Sequence, residues 1–202
     1  MKKITLAGSA GFCFGVKRAV DTALEIKEKY NKKIYTLGPL IHNNDVVDFL
    51  KKNLIYPIEL DDITSLKEND IIIIRSHGVS EKTLNILKKT NLHIVDATCP
   101  YVENIHKKVK KYYDLGYHII IVGDKNHPEV IGINGWCDDS AVILKSGIHI
   151  STISNKVCVV AQTTERQVTW ENVLTKIIKI SKEIVAFNTI CSATRSEEHT
   201  SE

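Results

Sequence analysis

The chain has 202 residues, 43% hydrophobic and 25% charged, without a run of 18 apolar residues. That composition excludes a helical membrane span and a disordered polymer, and the length suits one large domain or two small ones. The net charge of +3, from 27 basic and 24 acidic residues with no Lys/Arg block, argues against a nucleic-acid surface.

In chain order, strand-length apolar runs alternate with amphipathic helical stretches, the pattern of an α/β protein with parallel sheets. Residues 4–7 read as a strand, 8–15 as a loop and 16–30 as a helix, with Val16, Val20, Ala23, Leu24 and Ile26 along one side. Strands are predicted at 33–37, 70–74, 93–96, 118–122, 156–161 and 184–187. Helices are predicted at 43–51, 80–89, 100–115 and 164–180, with Pro100 suited to a first helical position. Parallel strands need crossovers between them, and these helices supply them.

Met1-Lys2-Lys3 has the basic start of a secretory leader, but the apolar stretch after it is too short, and Lys17-Arg18 puts two charges soon afterwards. With no transit or lipidation signal, a cytoplasmic protein is expected. Five cysteines are an odd number and form no C-x-x-C pair, which favours ligand or catalytic thiols in a reducing compartment over a disulfide framework.

Polar residues repeat at fixed offsets. Cys13, Cys99 and Cys191 each follow a strand and open a helix. His42 and His77 lie 29 and 64 residues beyond Cys13, and His127 and Thr163 lie 28 and 64 beyond Cys99. Matching offsets at matching strand ends imply two copies of one α/β unit. Polar residues beyond the carboxyl ends of such strands converge on a site. The same repeat predicts a third unit of roughly ninety residues after Cys191, so the chain reads as truncated.

Each mark has an ordinary explanation beside its chemical one. Cys158 sits in an apolar run and reads as core, and Cys137 has no partner spacing. Three equivalent thiols suit zinc or an iron–sulfur cluster, with one metal position left open. His42, His77 and His127 precede helix starts, where imidazoles and backbone N–H groups suit a phosphate or diphosphate. His93, His106, His118 and His149 read as surface or satisfied histidines. Glu129 is a candidate proton donor if buried, or simply a first-turn carboxylate. Thr163 could bond a substrate, and Thr164 before Glu165 reads as a helix cap. No G-x-G-x-x-G or G-x-x-x-x-G-K-[ST] pattern occurs, so nucleotide binding is unsupported.

Seven segments occur in order: Ala10-Gly11-Phe12-Cys13-Phe14-Gly15-Val16, Gly38-Pro39-Leu40-Ile41-His42-Asn43, Arg75-Ser76-His77-Gly78, Asp96-Ala97-Thr98-Cys99-Pro100, His127-Pro128-Glu129-Val130, Gln162-Thr163-Thr164 and Asn188-Thr189-Ile190-Cys191. Together they closely resemble the 4-hydroxy-3-methylbut-2-enyl diphosphate reductases of the non-mevalonate isoprenoid pathway, over residues 1 to about 194. The resemblance implies a pseudo-threefold trefoil of parallel α/β units around a [4Fe-4S] cluster, with only two units complete here. It implies that Cys13, Cys99 and Cys191 ligate the cluster, that His42, His77 and His127 line a diphosphate pocket, that Glu129 supplies protons and that Thr163 touches the substrate. It also implies reductive dehydroxylation to isopentenyl and dimethylallyl diphosphate by a monomer, with electrons from ferredoxin or flavodoxin and no nucleic-acid or membrane partner.

The expected division is 1–13 as an N-terminal strand and ligand loop, 14–98 as the first unit, 99–190 as the second, and 191–202 as the start of a third. The resembled family continues after its third cysteine with A-T-x-x-R-Q. Here Thr194 matches, but Glu197 and Glu198 stand where Arg and Gln are expected. Residues 195–202 read as the translation of a sequencing-adapter oligonucleotide, and the chain as written is expected to turn over little or no substrate.

Overall fold

The computed structural model describes residues 11–41, 43–145 and 155–193. The predicted strand at 4–7, His42, His149 and the 195–202 tail lie outside the described residues. The elements run α1 (Phe14–Tyr30), β1 (Ile34–Leu37), α2 (Asn44–Lys52), β2 (Ile55–Ile58), a 3-10 turn (Leu60–Ser65), β3 (Ile71–Ile74), α3 (Glu81–Lys88) and β4 (His93–Asp96). They continue with α4 (Pro100–Asp114), β5 (His118–Val122), α5 (Pro128–Asn134), β6 (Val142–Leu144), β7 (Lys156–Ala161), α6 (Gln167–Ile178) and β8 (Glu183–Phe187).

Two four-stranded sheets result, ordered β2-β1-β3-β4 and β6-β5-β7-β8, and every pairing is parallel. The repeat read from polar punctuation is therefore a repeat of topology. Four consecutive isoleucines form β3, and all four are buried. Successive side chains of a strand point to opposite faces, so such a run needs cover on both sides. Ile71 and Ile73 pack with Ala19, Ala23 and Leu50 of α1 and α2, while Ile72 and Ile74 pack with Leu87 of α3. The second sheet divides likewise. Ile119, Ile121 and Val160 meet α4 and α5 through Val109 and Val130, and Ile120 and Val159 meet Trp170 and Val173 of α6. In each unit the first two helices cover one face and the third covers the other.

Three differences from the sequence reading have local causes. The strands β2 and β6 are only four and three residues long at sheet edges, too short for a clear alternation. The second helix of the second unit, α5, is two turns long and starts at Pro128. Thr164 does not cap α6, which begins at Gln167 with Arg166 at its N-cap. The Thr164 hydroxyl instead receives the Gln162 side-chain amide at 2.7 Å.

Ile73 is fully buried at the centre of its sheet. Ile73→Ala should therefore cost about 2–5 kcal/mol of unfolding free energy, read from the midpoint of a urea titration.

Candidate functional site

In each sheet the crossovers reverse direction between the two central strands, β1 and β3 in one unit, β5 and β7 in the other. At such a switch point the loops leaving neighbouring strands diverge and open a crevice. His77 follows β3, His127 follows β5 and Thr163 follows β7. All three line a single cavity of 640 Å³.

The cysteines reach the same cavity by another route. Asp96 ends β4 and Asn188 stands just past β8, each three residues ahead of a cysteine. The Asp96 side chain accepts the Thr98 N–H at 2.8 Å, and that of Asn188 accepts the Ile190 N–H at 3.3 Å. Such side-chain turns bend the chain where a strand ends. The Cys99 N–H then bonds the Ser76 carbonyl at 2.9 Å, and the Cys191 N–H bonds the Thr163 carbonyl at 2.8 Å. Cys13 is the N-cap of α1 and Cys99 that of α4, and neither thiol caps its helix. The Arg18 guanidinium ties α1 to the Thr98 carbonyl at 2.8 Å, beside Cys99.

Cys13, Cys99 and Cys191 are all unpaired and all line the cavity. Burial pushes the Cys99 thiol up, the N–H groups of Tyr101 and Val102 hold it back in part, and Cys13 and Cys191 add to the rise. Cys99 thus lies within electrostatic reach of both other thiols. Among the described residues no three His, Cys, Asp or Glu side chains converge tightly enough to hold a single metal ion. A Cβ on Gly15 would fall 2.6 Å from the Cys99 sulfur, so the missing side chain leaves the sulfur room. Phe12 and Phe14, on either side of Cys13, are largely exposed.

Glu129 lies in the first turn of α5 and is 2% exposed. One carboxylate oxygen accepts the Thr163 N–H and the other accepts the Thr163 hydroxyl, both at 2.6 Å. Burial raises its pKa, and the two bonds from Thr163 oppose that rise without cancelling it. The Glu129 N–H donates to His127 Nδ1 at 3.2 Å, which leaves Nε2 as the protonated nitrogen of the neutral ring. The His127 ring meets His77 edge-on, with centroids 5.6 Å apart.

The structure thus brings together Cys13, His77, Cys99, His127, Glu129, Thr163 and Cys191, while His42 lies outside the described residues. Thr163, read as a substrate contact, spends its hydroxyl on Glu129 here. Thr164, Ser76 and Asn43 also line the cavity. Ser76 lies in the segment Arg75-Ser76-His77-Gly78 without a role of its own there, because its links to the Cys99 N–H and, at 3.2 Å, to the Leu40 carbonyl depend on contacts distant in sequence. His106 proves buried, with no hydrogen bond at Nε2, rather than a surface or satisfied histidine.

Cys137 and Cys158 are buried in the second unit, and burial pushes their thiols up to about 11 and about 12. The thiolate is the reactive form. Iodoacetamide on the folded, metal-free chain should label Cys13 first and spare both buried cysteines until denaturant is added, as read by peptide mass spectrometry.

A second consequence concerns pH. Glu129 holds its proton more tightly when folded than when unfolded, so its contribution to stability is greatest at low pH. It falls as pH rises from the unfolded through the folded pKa. Glu129→Gln removes that dependence, so its melting temperature should fall less than that of the parent as pH is raised.

The chain is similar to known proteins. A family model described as "LytB protein" matches residues 4–202. A 4-hydroxy-3-methylbut-2-enyl diphosphate reductase of Clostridium perfringens is 61% identical over 193 residues, covering 96% of this chain and 68% of that protein. The protein of the same name from Clostridium acetobutylicum is 58% identical over 200 residues, but the chain spans only 31% of its length. Among solved structures, an (E)-4-hydroxy-3-methyl-but-2-enyl diphosphate reductase, described as the terminal enzyme of the non-mevalonate pathway, matches 98% of this chain and 71% of its own. That match has a TM-score of 0.81 at 39% identity. The E-1-hydroxy-2-methyl-but-2-enyl-4-diphosphate reductase of Plasmodium falciparum matches with a TM-score of 0.83 at 30% identity, over 95% of this chain and 62% of its own.

Proposed function

The chain belongs to the LytB protein family, and from that premise we propose that it serves the reductive dehydroxylation of 4-hydroxy-3-methylbut-2-enyl diphosphate. The products are isopentenyl and dimethylallyl diphosphate. One observation carries the proposal: the second unit's buried carboxyl and the three thiols open onto the same cavity. Acid–base and redox chemistry can therefore act on one bound molecule.

The donor set fits an iron–sulfur cluster. A single zinc needs its sulfurs about 2.3 Å from one point, whereas these three thiols line one cavity, with the space left at Gly15 beside the Cys99 sulfur. In this reading Cys13, Cys99 and Cys191 hold a [4Fe-4S] cluster, which when bound supplies electrons and a Lewis-acidic iron.

The other residues bind and protonate. His77 and His127, with His42, take the diphosphate through imidazole N–H donors. The orientation of His127 is set by the Glu129 N–H at Nδ1, so Nε2 does the donating. Glu129 is the proton donor in this reading, since burial shifts its carboxyl towards the neutral form. Thr163 fixes the direction of that carboxyl by engaging both of its oxygens. A proton delivered to the substrate hydroxyl lets it leave as water. Two electrons and a second proton complete the product at either end of the allylic group. Ferredoxin or flavodoxin is the proposed electron donor, and residues 14–98 and 99–190 the two complete units.

Anaerobic reconstitution tests the cofactor. Iron with acid-labile sulfide and broad visible absorption is expected, and Cys13→Ser should lower the bound iron. Zinc without sulfide would overturn it. In protein extended to the length of the Clostridium perfringens relative, Glu129→Gln should keep cluster and substrate affinity but lose about 10²–10⁴-fold in turnover. An unchanged rate would move proton delivery to another group.

A further inference from the structure

His77 and His127 belong to different units, so something must set their separation. The segment 77–80 of the first unit is gripped by the second at four successive residues. The α5 helix approaches it face-on: a Cβ on Gly132 would stand 3.5 Å from the His77 carbonyl oxygen, and one on Gly135 would strike the Ser80 side chain. The Trp136 indole N–H, just past α5, donates to the Val79 carbonyl at 2.9 Å. The Trp136 ring stacks on His106 of α4, centroids 5.2 Å apart and planes 19° from parallel.

His106 completes the grip. Gly78 has φ +68°, and a Cβ there would meet His106 Cε1 at 2.5 Å. A side chain is thus barred at Gly78 twice, by conformation and by the imidazole. The ring is 4% exposed, and burial lowers its pKa to about 4 despite Asp96 and Glu103, so it packs as a neutral plate. Neither Trp136 nor His106 lines the 640 Å³ cavity.

We infer that Trp136, backed by His106, is a positioning residue that sets where His77 stands against His127 across the joint between the two units. The geometry carries this: the pair touches Gly78 and Val79, the two residues after His77, while Cys99 and His127 are the N-caps of α4 and α5. The consequence for diphosphate binding rests on the function proposed above, but the placement itself does not.

The test uses imidazole proton–nitrogen spectra of the metal-free chain. Trp136→Phe keeps an aromatic ring but removes the donor to Val79. Its His77 signals should move and the contact between the His77 and His127 ring protons should weaken, while amide signals of β5–β8 stay in place. Unmoved His77 signals in a folded variant overturn the inference. His106→Leu fills similar space without a flat ring and should give the same result if Trp136→Phe fails to fold. Collapse of both variants also overturns it, because the pair would then be a determinant of the fold rather than of His77. Gly132→Ala, whose methyl reaches only ordinary contact, should leave the signals where they are. The second readout is affinity for inorganic diphosphate, expected to fall by about tenfold in Trp136→Phe. If the parent chain itself binds no diphosphate, the proposed function is at fault, and the spectra still decide the placement.

Discussion

A parallel strand cannot turn back on itself, so its chain must leave the sheet edge and return by a crossover. Where successive crossovers run to opposite sides, the loops between them part. In this protein that parting falls between β1 and β3, and again between β5 and β7. Nearly everything in the cavity depends on it. The loop after β3 brings His77, the loop after β5 brings His127 and the start of α5, and the loop after β7 brings Thr163. Burial of β3 and its counterparts on both faces fixes these strand ends, so the loops stand on rigid supports.

The cavity's chemistry is a contest between burial and hydrogen bonding. At Glu129 both act on one carboxyl and burial prevails, leaving a group inclined to keep its proton. At Cys99 burial again prevails over two backbone N–H groups. At Cys137 and Cys158 the same force acts in the apolar interior and simply makes the thiols inert. The five cysteines thus separate by position in the fold, three lining the cavity and two in the apolar interior.

Much of this was legible in the sequence because the informative residues recur at fixed distances along it. The offsets from Cys13 and Cys99 mark two units without reference to any strand order. The unbroken isoleucine run of β3 and the Pro100 start of α4 marked their own elements. What escaped depends on contacts far apart in the chain. Trp136 and Val79 are 57 residues apart, and Glu129 and Thr163 are 34 apart. Thr164 misled because a threonine before a glutamate is an ordinary cap, and only the neighbouring Gln162 side chain claims its hydroxyl. His106 looked unremarkable because one histidine on a helix face has no pattern around it.

The two units share a strand order but not their loop chemistry. After the third strand of one unit stands an imidazole, His77, and after the third strand of the other a hydroxyl, Thr163, committed to a carboxyl. Two identical copies would set the same side chain after both third strands and offer a guest the same contact from each unit. Divergence at this pair of equivalent positions makes the two contributions chemically distinct. The cavity is thereby lined unequally by its two halves, with an imidazole after the third strand of the first unit and, after that of the second, a hydroxyl that holds a buried acid.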